Sequence, residues 1–117
     1  MIRIAILDDY QDTAINSADW QSLVGCKIET FNEHLGHDVT KVASILRNFD
    51  IIVCMRERTP FPKSLLDQLP NLKCLITTGL RNLSMDMDAA KANGVIVSGT
   101  QMLGYPAYEH AWGLILA

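Results

Sequence analysis

Four short segments of the sequence hold residue types able to do chemistry. Asp8 and Asp9 stand together directly after an apolar run. A carboxylate pair there could take part in holding a divalent cation, as in a phospho-receiver domain. That use also needs an acceptor carboxylate after the third apolar run and a lysine after the fifth. The chain reads Met55-Arg56-Glu57 and Ser98-Gly99 at those places. The arginines would oppose a metal, so the pair reads as loop carboxylates that turn the chain or pair with Arg56 or Arg58. Arg56-Glu57-Arg58-Thr59 offers two guanidinium forks for a carboxylate or phosphate. Residues 56 and 58 point the same way if extended geometry persists; the plainer alternative is a surface Arg-Glu pair worth little. Thr77-Thr78-Gly79-Leu80-Arg81-Asn82 is the sharpest feature. Gly79 permits a tight turn, and successive backbone N–H groups could form a nest for an anion, with Arg81 adding charge. His34 and His37, beside Glu33 and Asp38, read as solvated loop histidines rather than metal ligands. Met85 and Met87 read as packing residues.

The elements that must position these loops follow from hydrophobic patterning. Residues 2–7 and 51–55 are short apolar runs, too short for helices, and read as buried strands. Residues 27–32 alternate weakly and carry charge, as an edge strand does. Residues 72–78 and 95–97 supply two more strands. Ala14, Ile15, Ala18 and Trp20 suggest a short helix. Asp38 stands at an N-cap before Val42, Ile45, Leu46 and Phe49, which share one helical face. Pro62 suits the first turn of a helix carrying Leu65, Leu66 and Leu69, which Pro70 ends. Asp86 caps a third helix that Gly94 stops. Strands alternating with helices predict an α/β, flavodoxin-like three-layer domain: a five-stranded parallel sheet, order 2-1-3-4-5, covered on both faces. A ligand then belongs at the carboxyl ends of the strands, near the switch point between the first and third, in the loops 8–10, 56–59, 77–84 and 98–105.

Composition narrows the function classes. The 117 residues are 49% hydrophobic and carry a net charge of -3, which fits one folded domain. Ten basic against thirteen acidic residues leave no basic footprint, so nucleic acid is not an expected partner. The apolar stretch 111–117 is far below the ~20 residues of a membrane span, and residues 1–9 lack a signal-peptide pattern. Three cysteines at 26, 54 and 74 lack metal-ligand spacing. They read as reduced core residues of a cytoplasmic protein. No Gly-x-Gly-x-x-Gly is present, since the glycines at 94, 99 and 104 are spaced by five. Pro106 opens a last helix, with Tyr108, Ala111, Trp112 and Ile115 on one face and Leu114 and Leu116 off it. A helix apolar nearly all round needs cover, from chain that continues or from a second copy in a homodimer.

The chain resembles the N-terminal, substrate-binding domain of the D-isomer-specific 2-hydroxyacid dehydrogenases, the phosphoglycerate-dehydrogenase-like group. The resemblance rests on IRIAILDDYQD, DIIVCMRERTPFP, LPNLKCLITTGLRN, MDMDAAKANGVIVSGT and YEHAWGLILA, and it runs over essentially the whole chain. It implies a two-domain enzyme whose second domain is inserted in the first, binds NAD or NADP, and supplies the catalytic Arg, Glu and His. None of those positions maps onto residues 1–117. Glu109-His110 matches the Glu-His at the start of the interdomain helix, not the catalytic pair. The substrate side does carry over. Backbone N–H groups of the glycine loop, here Gly79, Leu80 and Arg81, would hold the substrate carboxylate. Arg58 matches the arginine bordering the cleft. The usual loop reads Gly-x-Gly-x-Asp-Asn-x-Asp; this chain keeps the first Gly, as Gly79, and the last Asp, as Asp86. Nearer the cofactor, Leu103 and Pro106 replace small polar residues before Ala107-Tyr108-Glu109.

The resemblance thus implies a substrate-binding domain over residues 1–106 and the start of an interdomain helix over 107–117, cut short before the NAD-binding domain. The parent activity is interconversion of a small 2-hydroxy acid and its 2-oxo acid. Residues 1–117 alone are expected to bind no NAD or NADP and to transfer no hydride. The alternative is a non-catalytic binding or self-association module derived from that domain.

Overall fold

A computed structural model describes residues 1–79 and 82–100. The chain starts with strand β1 (Ile2–Ile6), then a single 3-10 turn (Trp20–Ser22) and β2 (Cys26–Thr30). Helix α1 (Val39–Leu46), β3 (Ile51–Cys54), α2 (Lys63–Leu66), β4 (Cys74–Thr77), α3 (Met87–Ala92) and β5 (Ile96–Gly99) follow. All strand pairs are parallel, in the order β2-β1-β3-β4-β5. That is the predicted order, with the charged second strand on one edge. The expected last helix lies outside the described residues.

The helix starts follow their capping signals. The Asp38 side chain accepts from the Thr40 and Lys41 N–H groups, and Asp86 accepts from Ala89 N–H. Each satisfies backbone donors that a first helical turn leaves orphaned. Pro62, extended at φ -74°, enters α2. The right-handed crossovers that parallel strands favour put the three helices on one face for this strand order, and they do pack in a row, α1 beside α2 and α2 beside α3. They seal it. Ala5, Leu7, Ile52, Cys54 and Leu75 join Val42, Leu46, Leu65, Leu66 and Ala90 in one buried cluster. A leucine or isoleucine buried there contributes roughly 1.5–3 kcal/mol.

The opposite face differs from expectation. β3 and β4 alternate half-buried and buried residues instead of being buried throughout. The β1–β2 connection on that side forms turns and the one 3-10 turn, not the predicted short helix. Its start is bound differently: both Asp9 carboxylate oxygens accept N–H groups, from Thr13 and Ala14, at 3.1 and 3.0 Å. Trp20 folds back, its Nε1–H donating to the Ala14 carbonyl at 2.7 Å. A side-chain-to-backbone turn of this kind competes directly with helix formation.

Candidate functional site at the carboxyl edge of the sheet

The exits of β1 and β3 lie side by side because those strands are neighbours. Asp8 is almost fully buried and sits in the left-handed region at φ 57°. Its carboxylate accepts the buried Thr59 hydroxyl at 2.5 Å and the Tyr10 hydroxyl at 3.2 Å. Its carbonyl accepts Arg58 Nη1–H at 2.9 Å. The Arg58 guanidinium also stacks 4.6 Å from the centre of the Tyr10 ring, a cation–π contact. Burial, then the adjacent Asp8 carboxylate, push the Tyr10 phenol above its ordinary pKa. Gly36 N–H donates to His34 Nδ1, so Nε2 carries the proton and donates to the Arg58 carbonyl at 2.8 Å. A polar cleft of about 190 Å³ opens here, lined by Asp8, Asp9, Tyr10, Gln11, Thr13, Met55 and Arg58.

Two expectations change at this corner. The extended geometry that would align Arg56 with Arg58 does not persist, because β3 ends at Cys54 and Arg56 turns into the left-handed region at φ 52°. The turn is held by Arg56 N–H donating to Thr78 Oγ1 at 3.0 Å. Asp8 and Asp9 are indeed loop carboxylates, but their partners are hydroxyls and backbone N–H groups rather than arginine side chains. The nearby Cys54 thiol is pushed up by burial and then by Asp8, so it stays protonated and packs as a small apolar group.

The second part of the edge is the tip of β4. Gly79 adopts φ 109°, where only glycine is at ease. Its N–H donates to Thr100 Oγ1 at 2.8 Å, and its carbonyl accepts Thr100 N–H at 2.8 Å. The loop then returns through Asn82, whose amide donates to the Arg56 carbonyl and to Thr77 Oγ1. Glu57 accepts Leu83 N–H at 3.4 Å, which ties this loop to the β3 exit. Of the predicted anion-binding residues, Arg58 and Gly79 are thus on adjoining loops of one edge, while Leu80 and Arg81 lie outside the described residues. Among the described residues no group of three metal-ligating side chains comes together.

A dinucleotide does not fit this chain's first turn. A pyrophosphate site of that type needs a glycine turn after the first strand, leading into a helix N-terminus. Here Asp8 and Asp9 occupy the turn and no α-helix follows.

The D-isomer specific 2-hydroxyacid dehydrogenase catalytic domain matches residues 4–106. The chain belongs to that family. Among solved structures, a phosphoglycerate oxidoreductase from Vibrio cholerae is 37% identical, with a TM-score of 0.86 over 100% of this chain and 37% of that one. A putative D-3-phosphoglycerate dehydrogenase from Ralstonia solanacearum is 34% identical, TM-score 0.81, over 100% of this chain and 35% of that one. D-lactate dehydrogenase from Aquifex aeolicus, solved with NAD and lactic acid, shares the fold at 20% identity and TM-score 0.70, over 97% of this chain and 32% of that one. The chain therefore spans about a third of the length of these dehydrogenases. A search of curated proteins found no match. Within the dehydrogenase fold, the Asp8–Thr59 pair was missed by sequence reasoning; its signal was adjacency, two strand exits carrying a carboxylate and a hydroxyl on neighbouring strands.

Proposed function

We propose that residues 1–117 form the substrate side of an NAD(P)-dependent 2-hydroxyacid dehydrogenase. They hold a small 2-hydroxy or 2-oxo acid by its carboxylate at the tip of β4, through the N–H groups of Gly79, Leu80 and Arg81. Arg58 borders the site and supplies positive charge. The observation that carries this is the left-handed turn at Gly79 beside the fixed Arg58 loop, in a chain of this family. In the structure the Thr100 hydroxyl accepts the Gly79 N–H. The carboxylate takes that place, and an anionic acceptor binds an N–H more strongly than a hydroxyl does.

The chain contributes binding and orientation and no hydride transfer of its own. The nicotinamide and the Arg, Glu and His that act with it belong to the family's second domain, of which residues 1–117 hold none. The test is direct. Titrating the ¹⁵N-labelled chain with pyruvate should shift the Gly79–Asn82 amides, and Thr100→Ala should tighten binding severalfold by removing the competing acceptor. Unmoved amides at millimolar pyruvate would reject the site. With NADH and a panel of 2-oxo acids the pure chain should leave the nicotinamide absorbance unchanged.

We also propose a homodimer through the apolar face of residues 107–117, where Tyr108, Ala111, Trp112 and Ile115 recur at helical spacing. If light scattering at micromolar concentration gives a monomer, that face is not self-complementary. A reducing, cytoplasmic setting accords with three cysteines that are all unpaired. No helix among the described residues is long and apolar enough to cross a membrane.

A further inference from the structure

His34 is not the solvated loop residue that its polar neighbours suggest. It lies half-buried in the connection between β2 and α1, and both its ring nitrogens are bound to backbone groups. Nε2–H donates to the Arg58 carbonyl at 2.8 Å, and Nδ1 accepts the Gly36 N–H at 2.9 Å. A carbonyl only accepts and an amide N–H only donates, so these partners fix one neutral tautomer. The ring bridges two loops twenty-four residues apart in sequence.

The loop it reaches carries an arginine already held at its other end. The Arg58 guanidinium donates to the Asp8 carbonyl and lies over the Tyr10 ring. The side chain is thus oriented from the β1 exit, and the backbone carbonyl from the β2 exit. The peptide unit that His34 holds leads straight into Thr59, whose hydroxyl reaches the buried Asp8 carboxylate. One imidazole therefore fixes the joint between the two contacts of this corner.

A second proton on the ring has one place to go, Nδ1. There it would face the Gly36 N–H across 2.9 Å, with a hydrogen on each nitrogen. The ring is rigid, so moving Nδ1 away from Gly36 also moves Nε2 relative to the Arg58 carbonyl. The bridge is complete with the imidazole neutral and lost as pH falls and the ring takes up its proton, a change histidine can make near neutrality. No fixed counter-ion offsets that charge. Glu33 and Lys41 share a surface cleft with His34 and form no ion pair with it. Asp38 is engaged by the Thr40 and Lys41 N–H groups, and the Arg58 guanidinium by Tyr10 and the Asp8 carbonyl. The exposed His37 ring, 5.0 Å away centre to centre, adds a like charge once it too is protonated.

We propose that His34 is a positioning residue for Arg58: a backbone latch, closed while the imidazole is neutral and opened by protonation. This deepens the reading given above, in which Arg58 borders the site of the acid, and rests on it for one consequence. Binding of the acid should weaken as the latch opens.

The first test needs no ligand. Ring-nitrogen spectra of the ¹⁵N-labelled chain should show neutral His34 with its proton on Nε2. The Gly36 amide, bonded to the ring, and the Thr59 amide, in the same peptide unit as the Arg58 carbonyl, should both shift as His34 titrates, in wild type and in His37→Gln alike. An Nδ1-protonated tautomer, or a Thr59 amide blind to the titration of His34, overturns the latch. The second test follows pyruvate, an anion throughout, from about pH 8 to about pH 5. Wild-type affinity should fall about threefold, the scale of one weak hydrogen bond. His34→Gln keeps an amide donor toward Arg58 and does not titrate, so it should hold the wild-type high-pH affinity at both ends. His34→Ala should bind about threefold more weakly at both. A wild-type affinity flat with pH, or a slope that survives in His34→Gln, overturns the positioning role while the β4-tip site stands. If pyruvate moves no amide at any pH, the acid site falls and the binding consequence with it, and the latch stands or falls on the ring spectra and the Thr59 amide.

Discussion

The two halves of the carboxyl edge are held together in opposite ways. At the β1/β3 exits, hydrogen bonds run between loops distant in sequence, fifty-one, fifty and twenty-four residues apart: Thr59 to the Asp8 carboxylate, Arg58 to the Asp8 carbonyl, His34 to the Arg58 carbonyl. At the β4/β5 exits the loop binds itself and β5 through Asn82, Ser84 and Thr100, and is tied to the β3 exit through Thr78, Asn82 and Leu83. The first corner is closed around a buried carboxylate. The second is built on a glycine turn in the left-handed region, with an apolar cleft beside Thr77 and Gly99. A rigid corner that fixes an arginine, next to a looser one that offers backbone N–H groups, is a sensible division of labour for gripping small anions.

Three substitutions or conditions break or sharpen this contrast. Thr59→Val keeps the shape but removes the donor to Asp8, leaving a buried carboxylate oxygen without its closest partner. It should lower unfolding free energy by about 2–3 kcal/mol, read from the denaturant midpoint at unchanged slope. A loss below about 0.5 kcal/mol would mean the corner is not held by that bond. Gly79→Ala forces a Cβ into φ 109° and should cost about 1–2 kcal/mol. It should also abolish the pyruvate-induced amide shifts, whereas Thr59→Val should only weaken them.

The smallest effect lies away from the edge and serves as the reference. Lys63 and then Asn93 donate to Asp67 and hold its carboxyl below the ordinary value. A carboxyl depressed in the folded state stabilises above its unfolded pKa, and the gain is lost as pH falls through the folded one. Wild type should therefore exceed Asp67→Asn in midpoint at neutral pH, by a small margin typical of exposed pairs. The difference should vanish in acid. Whatever acid sensitivity survives in Asp67→Asn does not come from this pair.

Much of the scaffold was legible in the residues. Asp38 and Asp86 announced their helices, and the five apolar runs gave the strand order once right-handed crossovers were imposed. Strand limits moved by one or two residues, as in β2, which begins at Cys26. The β1–β2 connection misled because Ala14, Ile15, Ala18 and Trp20 have helical spacing, while Asp9 captures the N–H groups that a helix start would leave open. The direction of Arg56 was not readable. Nothing in an arginine signals the left-handed region; Thr78, twenty-two residues away, sets it through one bond.

β5, like β2, is an outer strand among the described residues, bonded to β4 on one side only. It is also one wall of the apolar cleft, through Val97 and Gly99. Outer strands release their amide protons to solvent soonest. Deuterium uptake should therefore be faster along Ile96–Gly99 than in β1 or β3, and the width of the hollow should breathe with that strand.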